Sequence, residues 1–182
     1  MNIFWVSGKS GYGKTEFVNS IIQRFERKNK ITTKLSGKDF IDFLVKNIKA
    51  KNSSEIVCHF QNYDLVVLDN IDYGLLNKPA TQTEIKNVIR KITGNNKTKV
   101  ILVSEKRARK LKRLKFNSEE CLYRHIKAPN LDFKRDLIKS WLKRDVLVIS
   151  KISIEGIANK SKNLFQLKGL FSKIKLSADG KS

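Results

Sequence analysis

The sequence predicts an α/β fold, a three-layer sandwich in which a five-stranded parallel sheet carries helices on both faces, followed by a small helical lid. Three observations predict it. Over about the first 145 residues, short apolar runs alternate with amphipathic stretches, the pattern of buried strands joined by crossover helices. A glycine-rich turn joins the first apolar run to the first amphipathic stretch. Beyond that region the periodicity is helical throughout.

The elements follow in order. Residues 3–7 are apolar and end at Gly8, which reads as a buried strand. Phe17, Val18, Ile21, Ile22 and Phe25 share one helical face and place a helix over 14–27. A second strand spans 31–35, closed by Ser36 and Gly37, and Phe40, Phe43, Leu44 and Ile48 then recur at helical spacing. A polar stretch over 49–54 separates that helix from a shorter one reaching toward Tyr63. Between Asp64 and Asp69 lie four apolar residues, the third strand. Thr81 and Glu84 have the spacing of a capping box, and Ile85, Val88, Ile89 and Ile92 continue a helix from there. Strands at 99–104 and 122–127 complete the sheet, and helices are predicted over 130–143, 153–159 and 163–175. These limits divide the chain into an α/β domain (1–145), the lid (146–176) and a frayed, disordered tail (177–182).

Composition bounds the function classes. At 182 residues the chain is long enough for one good core, and its 40% hydrophobic content excludes wholesale disorder. Lys and Arg outnumber Asp and Glu by 38 to 17, a net charge of +21 that attracts polyanions. Lysine enrichment through base composition is the bland alternative. Cys58 and Cys121 are isolated, without metal-ligand spacing, which fits a reducing compartment. The apolar N-terminus lacks a basic leader and reads as a strand, and no run approaches the ~20 residues needed to span a bilayer. A cytoplasmic protein without membrane contact is expected.

Gly8-Lys9-Ser10-Gly11-Tyr12-Gly13-Lys14-Thr15 fits the phosphate-loop pattern GxxxxGK[ST] at every fixed position, between a strand and a helix. Glycines let backbone N–H groups fold around a β-phosphate, and the helix that follows, with Glu16 in its first turn, adds its positive dipole. Lys14 is expected to bridge the β- and γ-phosphates, and Thr15 to ligate Mg²⁺. Asp69 closes the third strand, where a carboxylate reaches the same ion through water. The next position holds Asn70, whose amide can hold a water but cannot accept its proton. Ser104 and Glu105, closing the fourth strand, are candidate γ-phosphate sensors or merely a polar strand terminus facing water. Asp72 is nearby but expected to point elsewhere. The basic block at 106–115 reads as solvated surface, as a track for phosphates, or as the source of an arginine finger, with Arg113 the first candidate. As a helix it would carry charge nearly all round, anchored by Leu111 and Leu114.

In register, the motifs GYGKT, Leu-Ser-Gly-Lys-Asp-Phe40, DLVVLDNID, Lys-Pro-Ala-Thr-Gln82 and VILVSE resemble the AAA+ domain of bacterial replication initiators of the DnaA family, which includes the DnaA-like regulator Hda. Asn163-Leu-Phe165-Gln-Leu167-Lys-Gly169 is similar to that family's sensor 2 element, N-x-R-x-L-x-G, with Phe165 in place of the arginine. The resemblance covers nearly the whole chain. It implies an AAA+ P-loop fold, ATP or ADP with Mg²⁺, and a role in replication initiation or its regulation. The family's adenine-holding N-terminal segment, clamp-binding peptide and helix-turn-helix domain are expected to be missing, so sequence-specific reading of DNA is not expected. In the family the helices after strand two contact single-stranded DNA, and the matching stretch, 38–63, carries Lys46, Lys49 and Lys51.

The resemblance therefore implies a nucleotide-binding protein with catalytic candidates Asp69, Asn70 and Ser104, and with weak or absent hydrolysis given Asn70 and Phe165. Its expected partners are a replication initiator, the sliding clamp or a helicase, with non-specific single-stranded DNA and AAA+-type self-association. A helicase loader of the DnaC or IstB type is the alternative. A scaffold that keeps nucleotide only as a structural ligand is the third reading.

Overall fold

In the computed structural model, which describes residues 1–49, 53–75 and 77–179, the strands are β1 (Ile3–Ser7), β2 (Thr32–Ser36), β3 (Leu65–Asp69), β4 (Lys99–Ser104) and β5 (Cys121–His125). They form one parallel sheet in the order β2-β3-β4-β1-β5. The helices are α1 (Lys14–Glu26), α2 (Gly37–Lys49), α3 (Ser53–Gln61), α4 (Pro79–Thr93), α5 (Leu131–Arg144), α6 (Lys151–Lys160) and α7 (Leu164–Asp179). The parallel α/β class predicted above is what the chain adopts.

Alternation along each strand explains the layers. Val6, Leu65, Val67, Ile101 and Val103 point to one face and bury against Val18, Ile21, Ile22 and Phe25 of α1. Trp5, Val66, Leu68, Val100 and Leu102 point to the other and pack on Phe40 and Leu44 of α2, Ile56 and Phe60 of α3, and Ile85, Ile89 and Ile92 of α4. Phe40 and Phe60 meet edge to face at 5.5 Å. With both faces covered, β3 and β4 can be apolar along nearly their whole length. The strand order reverses beside β1, the kind of place where open α/β sheets hold their ligands, at the carboxyl ends of the strands.

Contacts divide the chain into two compact units. One comprises Met1–Lys9 and Lys14–Ile126; the other comprises Ser10–Gly13 and Lys127–Ser182. The second unit has its own core of Ile138, Leu142, Ile157, Ala158, Leu167 and Phe171, with Trp141 against Phe171 at 5.2 Å. Inside it the buried Lys134 ammonium donates to the carbonyls of Ala158 and Ser161.

Several sequence expectations need correction. A boundary after 145 separates α5 from the lid, but Ile138 and Leu142 of α5 supply part of the helical unit's core. The tail expected from 177 is helical as far as Asp179, and residues 180–182 lie outside the described part. Helix α4 starts at Pro79 with Lys78 as its cap and no side-chain capping bond, so Thr81 and Glu84 do not form a capping box. Proline fits the first helical turn because its missing N–H would have no partner there. The block 106–115 folds as turns around a short 3-10 segment, Ala108–Lys110. Ala108, Leu111, Leu114 and Phe116 are buried anchors beneath its exposed cations. Among the described residues, no helix is long and apolar enough to cross a membrane.

Candidate functional site

The glycine turn starts where β1 ends. A β-carbon on Gly8 would stand 2.7 Å from the Ile126 carbonyl oxygen and 3.2 Å from its Cβ, so only glycine passes the end of β5 here. The Gly8 N–H donates to the Ser104 carbonyl at 3.2 Å, and the Ile126 N–H donates to that of Ser7 at 2.7 Å. These bonds fix the start of the loop to both strands flanking β1. Gly11 and Gly13 take φ of +76° and +95°, left-handed backbone that favours glycine. Lys14 then opens α1. It is 8% exposed, and its Nζ donates to the carbonyls of Gly8 at 2.7 Å and Lys9 at 3.2 Å. The ammonium is thus folded onto the loop it follows, at the N-terminus of α1, where the first N–H groups of a helix have no partner within the helix. Lys9, Ser10, Thr15 and Glu16 are exposed and Tyr12 is half-buried.

In the second unit, Ser10–Gly13 contact the start of α7. The Leu164 N–H donates to the Gly11 carbonyl at 2.8 Å. A β-carbon on Gly11 would lie 2.9 Å from both Asn163 Cγ and Phe165 Cδ2. Asn163 accepts from the Gln166 N–H while Gln166 accepts from the Lys162 N–H, an N-terminal cap that holds this turn. Phe165 is 68% exposed.

Asp69 ends β3 on the face that carries α1, and its carboxylate is ion-paired with Lys34 Nζ of β2 at 2.9 Å. Asn70, exposed, has φ +57°, a conformation that Asn tolerates better than most residues. Its carbonyl accepts from the Tyr73 N–H, and a β-carbon on Gly37 would come within 2.4 Å of it. Ser104 is fully buried. Its hydroxyl accepts from the Trp5 indole at 2.7 Å and donates to the Lys106 carbonyl at 2.6 Å. A phosphate would have to displace that second bond before Ser104 could donate to it.

Other residues were not singled out for these roles in the sequence. Asp72 accepts from the N–H groups of Glu105 and Lys106 at 3.1 and 2.9 Å, pinning the exit of β4. Buried Gln82 donates to the Leu75 carbonyl and accepts from the Arg113 N–H, which places Arg113 by its backbone and leaves it exposed. Ser7 Oγ and His125 Nδ1 are hydrogen-bonded at 3.1 Å directly below the loop. Ser7 precedes the motif, which is a signal; its partner 118 positions away is not.

Among the described residues no group of three or more His, Cys, Asp or Glu could hold a metal ion by itself. Mg²⁺ commonly takes one or two protein oxygens and completes its shell with phosphate and water. The Thr15 hydroxyl and the Asp69 carboxylate are hard oxygen donors of that kind, with the carboxylate shared with Lys34.

Residues 1–124 match the bacterial DnaA ATPase domain. The chromosomal replication initiator protein DnaA of Sulfurimonas denitrificans is 24% identical over 178 residues, 95% of this chain and 40% of that protein. The chain thus spans well under half the length of this curated relative. A solved replication initiator DnaA bound to AMPPCP and single-stranded DNA has the same fold, with a TM-score of 0.80 at 23% identity over 96% of this chain and 55% of that one. The DnaC helicase loader is less similar, with a TM-score of 0.55 at 20% identity over 69% of this chain and 78% of its own. The chain belongs to the bacterial DnaA ATPase-domain family, an AAA+ family with the P-loop NTPase fold.

Proposed function

We propose that this chain binds ATP or ADP at Gly8–Glu16 and acts in replication initiation or its control, with hydrolysis weak or absent. One observation carries the reading: two left-handed glycines shape the turn, and a buried Lys14 ammonium closes on it at the head of a helix. That combination offers backbone amides, a helix dipole and one cation to a β-phosphate. A nucleotide-borne Mg²⁺ would meet the Thr15 hydroxyl and, through water, an Asp69 carboxylate already paired with Lys34, and would add to the charge neutralisation that Lys14 gives the phosphates.

Weak turnover follows from three residues. Asn70 cannot take a proton from water, the Ser104 hydroxyl is engaged, and Phe165 replaces a cation. The test is nucleotide analysis of the purified protein, followed by phosphate release with and without single-stranded DNA. Bound ADP or ATP with slow release supports the reading. Retained nucleotide with zero turnover in every condition selects the structural-ligand scaffold, and absence of nucleotide affinity sinks both.

Single-strand contact is assigned to α2 and α3, where Lys38 and Lys46 are exposed beside Val45 and Ile48. The Lys49 side chain and Lys51 lie outside the described residues. Such binding works through phosphates, so its affinity should fall with a log–log salt slope of roughly −0.7 per contact. A flat salt dependence would make the +21 charge compositional. Partners of this reading are an initiator, the sliding clamp or a copy of the chain, with Arg113 exposed for an adjoining nucleotide. Co-purification with a replicative helicase alone would favour the loader reading.

A further inference from the structure

The sheet register sets Lys34 opposite Val67 and Ser36 opposite Asp69. Lys34, Ser36, Val67 and Asp69 therefore share one face of the sheet, the face that carries α1. From there the Lys34 side chain runs one step toward the carboxyl end and brings its ammonium to 2.9 Å from Asp69 Oδ2. A lysine on an edge strand also serves to blunt the edge against other strands, but that role asks for a cation out in solvent. Lys34 is an exposed residue, its side chain 35% accessible, yet its ammonium is turned onto the carboxylate at the end of β3.

We propose that Lys34 is the resident counter-cation of Asp69, so that nucleotide affinity in this chain is nearly independent of Mg²⁺. The inference rests on the nucleotide-binding reading above. On that reading Asp69, at the carboxyl end of β3, lies at the end of the sheet where open α/β folds hold ligands; a carboxylate there repels a phosphate unless a cation stands by, and a divalent ion ordinarily supplies that charge. Lys34 supplies it from the protein. A dication drawn toward Asp69 meets an ammonium already on the carboxylate and must displace it or share it, so the metal gains little from Asp69. Thr15 remains as a neutral oxygen donor. The phosphates are then balanced by Lys14 from the loop, while Lys34 cancels the opposing charge of Asp69.

The test is titration of the full chain with a fluorescent N-methylanthraniloyl ADP or ATP, in excess Mg²⁺ and in EDTA. Wild type should change affinity by less than about threefold between the two conditions. Lys34→Gln and Lys34→Met, which leave Asp69 uncompensated, should lose about tenfold in EDTA relative to Mg²⁺, and Lys34→Arg should behave as wild type. Far-ultraviolet circular dichroism confirms that each variant is folded; should Lys34→Gln fail, Lys34→Met and Lys34→Arg decide. A wild type that loses tenfold in EDTA overturns the proposal, as does a Lys34→Gln protein as indifferent to metal as wild type. Either result leaves nucleotide binding standing. Absence of binding in both conditions overturns the nucleotide-binding reading itself, and the counter-cation with it.

Discussion

Replacing Asp72 by alanine should destabilise the chain by about 2–3 kcal/mol. The carboxylate is nearly buried, at 9% exposure, and accepts from two consecutive backbone N–H groups, those of Glu105 and Lys106. A hydrogen bond to a charged acceptor contributes about 1.5–3 kcal/mol. Glu105 and Lys106 are exposed, so water recovers part of each bond and the lower end of the range applies twice. For a chain of this size each kcal/mol moves Tm by about 2–4 °C, which places the variant roughly 4–12 °C below wild type. Asp72→Asn keeps one acceptor oxygen and should lose about half as much. Urea denaturation and thermal melts by circular dichroism read both. An Asp72→Ala protein within about 0.5 kcal/mol of wild type would refute the pinning role, the size expected of a neutral surface change. An Asn variant no better than the Ala one would show that the acceptor oxygens are not what holds the exit of β4.

Two further outcomes are expected. The Ile31 N–H, with Lys30 beside it and against opposing burial, holds the Asp64 carboxyl below its ordinary value of 3.8. A depressed folded value contributes stability that is full above the ordinary range and lost as pH falls through the folded value. Asp64→Asn should therefore lower Tm near neutrality and flatten its decline below about pH 4; parallel curves for the two proteins would contradict this. Burial pushes the Cys121 thiol up to about 12, whereas Cys58 is exposed on α3. Iodoacetamide should label Cys58 in the folded chain and reach Cys121 only on unfolding; mass spectrometry showing equal labelling would count against the packing of β5.

What was legible in the sequence is local. β3 reads directly because four apolar residues lie between Asp64 and Asp69, and α1 because five apolar residues share one face. The glycine turn is legible because its conformation is a property of Gly11 and Gly13 themselves. Interactions across the sheet are not. Nothing in the chain near Asp69 announces Lys34, 35 positions earlier, because their meeting depends on β2 pairing with β3 in one register. Trp5 and Ser104 meet for the same kind of reason, through the pairing of β1 with β4. Asp72 was expected to point elsewhere than the site; its carboxylate is engaged by the backbone that leaves β4, a contact 33 positions away that the sequence does not announce. Thr81 and Glu84 misled because capping spacing is a weak signal beside Pro79, which starts the helix two residues earlier. The domain limit after 145 failed because the predicted helix at 130–143 carries an apolar stripe whose partner cannot be read locally; it belongs to α6 and α7.

The most direct measurement is calorimetric titration of ADP into wild type and into Lys14→Ala. If the turn wraps a phosphate with Lys14 completing it, wild type gives a saturable isotherm and the folded variant gives none. Equal affinity in the two proteins would contradict the assignment of that loop as the nucleotide site.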